Sequence, residues 1–334
     1  MTTATTPTVP DTVPESRASR FALNEATLRG VILAGFLVLI VVFFSSRSDA
    51  FFTPDNALNI LVNASVIGIV SLGQALTIIS GGFDLSVSGT VPLGAVVYAL
   101  LLNDGYGVLG AVAGVLVVGA VCGLANGLIV AKANINPLIA TLATMSVTGG
   151  LALTIADGVQ IPFADPNQGV LADRSLFGVN NHVWILLGLS LLVFLALRYT
   201  VFGRYLYTVG GNREAARLAG VRVDAVTAWV YVFSAAFASL AGAVLASQLL
   251  TGSGTAGTDS GLQSVAAVIL GGASLAGGVG GVPGTLIGVL ILGTLANGMA
   301  IMSVPAFYQT IATGVVLLLA VGISQIRRIS RRGR

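Results

Sequence analysis

Charged residues are scarce in this chain. Only 9% of its 334 residues are Asp, Glu, Lys or Arg, whereas 55% are hydrophobic and the mean hydropathy is +0.94. Soluble globular domains carry about 25% charged residues. A chain this poor in charge and this apolar is therefore expected to be an integral membrane protein.

Cysteine, histidine and lysine occur once each, as Cys122, His182 and Lys132. One cysteine cannot form a disulfide within the chain, and one histidine with one cysteine cannot build a His/Cys metal site. A GxxxxGK[ST] phosphate loop is missing, because Lys132 lies in IVAKANIN. We therefore predict no enzyme activity, no catalytic residue, no metal and no cofactor. Basic and aromatic residues do not alternate as a nucleic-acid site requires.

Long charge-free runs make up most of the chain. They cover residues 31–46, 56–83, 85–103, 105–131, 133–156, 175–197, 225–258 and 260–326. A membrane-crossing helix needs about 20 apolar residues, so the last run fits three helices, with breaks near 271–281 and 303–305. The runs are continuously apolar, which favours helices over a β-barrel. The sequence predicts an all-α integral membrane protein with about ten transmembrane helices.

Positive charge is distributed unevenly among the connecting segments. With a cytosolic N-terminus, ten crossings place every Arg and Lys except Arg47 and Arg174 on the cytosolic side, as the positive-inside rule describes. We therefore predict that both termini are cytosolic. Residues 1–28 are expected to form a disordered tail, 29–326 the transmembrane domain and 327–334 a basic tail. His182 is expected at the outer membrane interface.

Residues 203–224, GRYLYTVGGNREAARLAGVRVD, form the most charged internal segment. A bilayer does not tolerate this density of charge, so the segment must lie in water. We expect one short helix within it, capped by Asn212, continued by Ala215 and Ala216, and stopped by a left-handed Gly220. The segment is either a docking element for a soluble partner or a charged loop that only fixes topology.

Two glycine-rich segments interrupt the apolar runs. Residues 81–92 read GGFDLSVSGTVP and residues 271–283 read GGASLAGGVGGVP, and they align with a one-residue gap. This indicates an internal repeat of the kind common in transporters. Irregular backbone at membrane depth is tolerated only where it is buried in protein or lines a wet cavity. Phe83, Asp84 and Ser86 are therefore candidates for a pathway or gate, although Asp84 could instead cap a helix that begins at Leu85.

Another apolar run contains scattered polar residues, in the stretch NINPLIATLATMS at 134–146. Asn136, Thr141 and Thr144 could face a hydrophilic path. Alternatively, the threonine hydroxyls bond to their own backbone or to a neighbouring helix.

Four motifs, in this order, resemble the ribose-type, or monosaccharide, ABC transporter permeases. They are GGFDLSVSGTVPLG, NPLIATLATMSVTGGLAL, GRYLYTVGGNREAARLAGVRV and AAVILGGASLAGGVGGVPGTLIGVLILGTLANGM. Ser88-Gly89 departs from the Gly-Ser order usual in that family. The resemblance covers about residues 30–326, nearly all of the chain, and is specific at family level because four motifs agree.

The resemblance implies the permease subunit of a binding-protein-dependent importer in the bacterial cytoplasmic (inner) membrane. Its substrate would be a ribose-like pentose, a hexose or a related sugar or polyol. Its partners would be a second permease copy, an extracytoplasmic sugar-binding protein, the membrane lipid and a cytosolic ABC ATPase. The ATPase would dock on a coupling helix that includes Asn212, Arg213, Glu214, Ala215, Ala216 and Gly220.

Two other functional classes make different demands on the sequence. An ion-coupled secondary carrier of a small polar solute needs ionisable residues near the membrane midplane, and Asp84 is the one candidate. An intramembrane enzyme needs clustered nucleophiles, bases or metal ligands, which the sequence does not provide.

Overall fold

The computed structural model describes residues 18–305, 307–316, 318 and 322. The expectations for residues 1–17 and for the basic tail at 327–334 lie outside this part of the chain. The described residues are predominantly helical. The helices are α1 (Ala18–Ser45), α2 (Pro54–Ile79), α3 (Val87–Asn103), α4 (Gly107–Ala131), α5 (Pro137–Ile155), α6 (Asn181–Tyr199), α7 (Val201–Gly211), α8 (Arg213–Leu218), α9 (Val223–Leu249), α10 (Ser260–Leu270), α11 (Val282–Ile301) and α12 (307–316).

Two short strands and two 3-10 turns complete the described structure. Strand β1 (Ile161–Pro162) pairs antiparallel with β2 (Thr251–Gly252). The turns are Pro166–Gln168 and Leu176–Gly178, in the connection between α5 and α6. The predicted helical class is thus confirmed. Helix α1 begins at Ala18, within the stretch 1–28 that is expected to form a disordered tail.

Six helices are long and apolar enough to cross a membrane, namely α2, α4, α5, α6, α9 and α11. The chain is therefore a multi-pass membrane protein. The apolar part of α1, together with α3 and α10, is shorter. At 1.5 Å per residue, the 11 residues of α10 span about 16 Å, roughly half of a 30 Å hydrocarbon core. Helix length therefore does not confirm the expected count of ten crossings.

The breaks predicted within the last apolar run are present. Helix α10 ends at Leu270 and α11 begins at Val282. Helix α11 ends at Ile301, shortly before Ser303 adopts a φ of 57°. The internal repeat is not confirmed, because Pro92 lies inside α3 whereas its aligned partner Pro283 lies in the first turn of α11.

Helix α9 packs tightly against α4 through small residues. On α4, Gly119, Gly123 and Gly127 recur every four residues and face the backbone of α9. A Cβ atom at Gly127 would lie 2.7 Å from the Cα atom of Ala228. Such close approach lets two helices gain van der Waals contact without a solvent-driven hydrophobic effect between them.

Helix α9 also crosses α2 and α3 at glycines. A Cβ atom at Gly73 of α2 would lie 2.7 Å from the Cα atom of Ser234, and one at Gly94 of α3 would lie 2.8 Å from that of Ser239. Helices α2 and α9 are largely buried, whereas α4 and α5 expose most of their apolar surface. The core is therefore α2, α3 and α9, and the glycine-rich break between α2 and α3 lies within it.

Candidate functional site

The charged segment at 203–224 folds as two consecutive helices. Helix α8 is the short helix that the sequence predicts. The side chain of Asn212 accepts a hydrogen bond of 3.0 Å from the backbone N–H of Ala215 and so caps it. Gly220 has a φ of 82°, and the N–H of Val221 donates to the carbonyl of Ala216 at 3.0 Å. The predicted helix start and stop are both confirmed.

Helix α7, which precedes α8, was not anticipated. It begins after Thr200, whose hydroxyl accepts from the N–H of Gly203 at 3.2 Å. Leu206 and Val209 are fully buried on one face, while Arg204 and Thr208 are exposed. The spacing of these apolar residues is amphipathic, and that signal in the sequence could have revealed the helix.

Helix α8 divides into an exposed and a buried face. Ala216 is completely buried in the core cluster that holds Leu206, Val209 and Val221. Ala216, one of the residues expected on the coupling helix, therefore faces the body of the protein and is not on the surface open to a partner. The exposed face instead presents Leu218, which is 82% exposed and was missed in the sequence.

Polar contacts hold α8 against α9. A guanidinium nitrogen of Arg213 donates to the hydroxyl of Thr227 in α9 at 3.2 Å. Arg217 lies 3.7 Å from Glu214 and 3.6 Å from Asp224. The side chains of these ion pairs are more than half exposed, so each adds little stability. The buried Ala216 and the Arg213–Thr227 contact therefore orient α8.

Tyr207 connects α7 to the second glycine-rich segment. Its hydroxyl donates a 2.8 Å hydrogen bond to the backbone carbonyl of Gly280. Burial raises the pKa of Tyr207, so the hydroxyl keeps its proton at neutral pH and acts as a donor. The contact therefore persists throughout the physiological pH range.

Four glycines from three parts of the chain meet beside this contact, and we call them the glycine junction: Gly81, Gly210, Gly277 and Gly278. The N–H of Gly278 donates to the carbonyl of Ile79 at 2.8 Å. A Cβ atom at Gly277 would lie 2.9 Å from the Cα atom of Gly81, and one at Gly210 would collide with the carbonyl oxygen of Ile79. The end of α2, the end of α7 and the loop before α11 are thus in direct backbone contact.

A buried polar cluster occupies the break between α2 and α3. Asp84 is fully buried, and its Oδ1 accepts from the backbone N–H of Ser86 at 3.1 Å and from the Ser86 hydroxyl. The amide of Asn126 in α4 donates to the Ser86 hydroxyl oxygen at 2.7 Å. The hydroxyl of Tyr231 in α9 donates to the carbonyl of Phe83 at 3.0 Å. Residues Phe83, Asp84 and Ser86 thus lie together, and α4 and α9 complete the cluster.

The proposed capping role of Asp84 needs correction. Helix α3 begins at Val87 with Ser86 at the N-cap position, so Asp84 does not cap a helix beginning at Leu85. Its bond to the N–H two residues ahead is an Asx-turn, which directs the chain into α3. Within the described residues, Asn126 Oδ1 has no hydrogen-bond partner, and the Ser234 hydroxyl of α9 interacts with the Asp84 carboxylate, whose Oδ2 makes no other hydrogen bond. These polar atoms are available to a solute, to water or to a rearranged neighbour.

The candidates on α5 have a different environment. Asn136 is exposed and caps α5, accepting from the N–H of Leu138 at 2.9 Å. Thr141 donates to the carbonyl of Pro137 at 2.8 Å, and Thr144 to that of Ala140 at 3.1 Å. These are the own-backbone bonds of the alternative interpretation. In the described part of the chain, no hydrogen bond joins the three residues to the Asp84 cluster.

His182 lies elsewhere, in the first turn of α6 at one end of a candidate membrane span, and it is fully buried within the protein. Its Nδ1 lies 3.2 Å from the carbonyl of Leu171, and its Nε2 lies 3.3 Å from the amide nitrogen of Gln248. The connection between α5 and α6 supplies the Leu171 carbonyl, and the sequence did not reveal this contact.

Known proteins resemble the chain over most of its length. Residues 56–321 match the family described as the branched-chain amino acid transport system / permease component. The ribose import permease protein RbsC of Escherichia coli is 39% identical over 294 residues, covering 85% of this chain and 90% of that protein. RbsC of Bacillus subtilis is 38% identical, covering 85% and 89%. The L-arabinose ABC transporter permease protein AraH of Azospirillum brasilense is 35% identical, covering 97% and 95%. No solved structure matches the chain significantly.

A helical multi-pass protein with a charged two-helix segment packed on glycine-rich breaks fits a membrane transport subunit. The chain belongs to this ABC transporter permease family. It is accordingly a transport component and not an enzyme.

Proposed function

We propose that this chain forms the translocation path of an ATP-driven sugar importer in the bacterial cytoplasmic (inner) membrane. The observation that carries the proposal is the similarity to ribose and arabinose permeases along 85% to 97% of the chain. The substrate class is a monosaccharide, such as a ribose-like pentose, a hexose or a related polyol. The partners are a cytosolic ABC ATPase, an extracytoplasmic sugar-binding protein and a second permease copy.

Helix α8 is the proposed coupling helix. Its outward face carries Glu214, Ala215 and Leu218, while Asn212 and Gly220 fix its two ends. Arg213 contributes by attaching the helix to α9. A rigid, exposed element of this kind supports docking of a soluble ATPase, because little conformational entropy is lost on binding.

The path is proposed to run beside the break between α2 and α3. The buried Asp84 and Asn126, each with a side-chain oxygen that is not fully hydrogen-bonded, lie beside Ser86 and support this position, since sugars bind through hydrogen bonds to carboxylate and amide groups. Asn136, Thr141 and Thr144 on α5 remain proposed as secondary lining residues. Their side-chain hydrogen bonds are local, so transport would require these bonds to open or the solute to meet the remaining lone pairs.

The membrane topology is also a proposal. We propose ten crossings with both termini in the cytosol, based on the excess of Arg and Lys in alternate connecting segments. The short helices α3 and α10 cross together with the irregular segments that precede them. If the two breaks arose by an internal duplication, the two copies have since diverged at their prolines, because Pro92 lies inside α3 and Pro283 lies in the first turn of α11. A fluorescent protein fused to the C-terminus should fluoresce, whereas an extracytoplasmic enzyme reporter there should be inactive.

The decisive experiment reconstitutes the permease with its ATPase in sealed vesicles. Uptake of radiolabelled ribose, arabinose and glucose is measured with and without ATP and the purified binding protein. We expect uptake of one of these sugars to require ATP and both partners. Uptake driven by a proton or sodium gradient without ATP would identify an ion-coupled carrier instead. A complex with a single permease chain by mass photometry would contradict the second copy.

A further inference from the structure

A cavity of about 470 Å³ lies where α4 ends and α9 begins. Both helices are long and apolar enough to cross a membrane. They pack side by side near this end, because a Cβ atom at Gly127 would lie only 2.7 Å from the Cα atom of Ala228. The cavity therefore lies at a membrane surface, beside the place where two spans leave the hydrocarbon core.

The charge of this cavity is strongly positive. Lys132, Arg217 and Arg222 line it, and Asp224 is the one acidic residue in its wall. Arg217 is already paired with Asp224 at 3.6 Å and with Glu214 at 3.7 Å. Within the described part of the chain, Lys132 and Arg222 have no carboxylate within ion-pair distance. The cavity thus carries two positive charges that no protein carboxylate balances.

The rest of the wall is apolar. Leu128 and Ala131 of α4 face Val223 and Ala228 of α9 across the cavity. A site for a free, fully hydrated ion would not need such walls. The combination of cationic rim and apolar wall fits an amphiphile whose negative group lies at the membrane surface.

We propose that this cavity binds the headgroup of an anionic phospholipid. The phosphodiester would contact Lys132 and Arg222, and the glycerol and first acyl carbons would contact Leu128 and Ala228. Basic pockets between transmembrane helices bind such headgroups through charge-assisted hydrogen bonds. Free phosphate shares this headgroup chemistry, but only a lipid also uses the apolar wall. The proposal depends on the membrane location and not on the transported substrate.

The bound lipid would have a structural consequence for α8. Arg217 of α8 and Arg222 of the following turn both line the cavity. A phosphate there would balance the charge beside the connection from α8 to α9. We expect the lipid to stabilise the orientation of α8 relative to α9.

Native mass spectrometry of the purified full-length permease tests the proposal. The protein is titrated with phosphatidylglycerol or phosphatidylcholine in detergent, and the Lys132→Gln/Arg222→Gln variant is compared with wild type. We expect wild type to prefer phosphatidylglycerol. The variant should bind it roughly 25-fold more weakly, since each of the two basic residues contributes about fivefold. The matched control is Arg198→Gln/Arg204→Gln, which removes the same charge from exposed positions outside the cavity.

Further comparisons distinguish an anionic phospholipid from free phosphate as the ligand of the cavity. Inorganic phosphate at the same concentration should not displace the lipid, and Lys132→Arg should retain binding. Equal loss of lipid in both double variants, equal binding of phosphatidylcholine, or full displacement by inorganic phosphate would each overturn the proposal. If the double variant does not fold, Lys132→Gln alone serves, because Lys132 is exposed and outside the packed core.

Discussion

The hydroxyl of Tyr207 in α7 donates a 2.8 Å hydrogen bond to the backbone carbonyl of Gly280, in the loop that leads into α11. Beside it, Gly210 packs directly against the carbonyl of Ile79 at the end of α2. Helix α7 therefore touches the ends of two long helices on one side and continues into α8 on the other. A displacement of α8 would reach both glycine-rich breaks through α7, by the backbone contacts of Gly210 and by the Tyr207 hydrogen bond.

Replacing Tyr207 with Phe removes the hydroxyl but keeps the ring. The carbonyl of Gly280 then loses its partner, and we expect a loss of about 1 kcal/mol in stability. We expect ATP-driven uptake to fall severalfold while the stimulated ATPase rate is retained, because the contact transmits movement rather than binding ATP. Uptake and ATP hydrolysis in the same vesicles measure this effect.

Tyr205→Phe is the matched control, because Tyr205 lies in the same helix and is 41% exposed. It should leave both rates unchanged. Equal behaviour of the two variants would show that the Tyr207 contact does not participate in coupling.

Replacing Gly210 with Ala tests the glycine junction. The added methyl group would collide with the backbone of Ile79, which cannot move as a side chain can. Overpacking of this kind costs about 1–3 kcal/mol. We therefore expect a lower melting temperature in detergent and strongly reduced uptake.

The neighbouring Gly211→Ala provides the comparison, since nothing lies within 4 Å of the position of its Cβ atom. Alanine also favours a helix over glycine by about 1 kcal/mol. Gly211→Ala should therefore be neutral or slightly stabilising. A harmless Gly210→Ala variant would mean that the backbones separate easily at this point.

The sequence predicts local structure here better than it predicts tertiary contacts. Asn212 and Gly220 act through their own neighbours in the chain, so the start and stop of α8 are visible in nine residues. The burial of Ala216 depends on Leu206 and Val221, which a local pattern does not place.

The two glycine-rich segments illustrate the same limit. Their composition indicates breaks, and breaks are found after Ile79 and after Leu270. Their contact with each other at Gly81 and Gly277 joins residues far apart in the chain. No periodicity in the sequence encodes such a contact. The similarity of the two segments predicts a repeat, but it does not predict that they touch.

Asp84 provides a prediction about the role of charge. Asn keeps an oxygen atom that can accept from the N–H and hydroxyl of Ser86, whereas Leu leaves both donors without a partner. An unsatisfied buried donor costs about 1–3 kcal/mol. We expect Asp84→Asn to fold and assemble normally, and Asp84→Leu to be unstable, as measured by thermal unfolding in detergent.

Uptake by the Asp84→Asn variant then distinguishes two roles. Retained uptake is expected if the oxygen atom matters for the turn into α3. Abolished uptake with normal expression and assembly would show that the negative charge itself takes part in transport.

Replacing Gly220 with Val strains the end of α8. Its φ of 82° is costly for a β-branched residue, by about 1 kcal/mol or more. Nothing lies within 4 Å of the Cβ position, so this cost is backbone strain and not a collision. We expect Gly220→Val to reduce coupling of ATP hydrolysis to uptake, and Gly220→Asn, which tolerates this conformation, to preserve it. If ATP hydrolysis is coupled to uptake equally well in the two variants, the geometry at the end of α8 does not affect transport.

Leu218 is the exposed apolar residue at the end of α8, with 82% of its surface accessible. A side chain so exposed contributes little to the fold, so Leu218→Ser should leave the melting temperature unchanged. If α8 docks on the ATPase, the same change removes an apolar anchor, and a central anchor contributes about 1–2 kcal/mol to binding. We therefore expect the permease–ATPase dissociation constant to rise roughly 5- to 30-fold, measured by biolayer interferometry on permease in nanodiscs.

Ala219→Ser is the control. Ala219 is exposed beside Leu218, and the substitution adds a hydroxyl group without removing a large apolar side chain. Ala216→Arg is unsuitable for this purpose, since a charge at a completely buried position would disrupt the fold before it affected docking. An unchanged dissociation constant for Leu218→Ser would indicate that the ATPase binds elsewhere and that the charged segment only fixes topology.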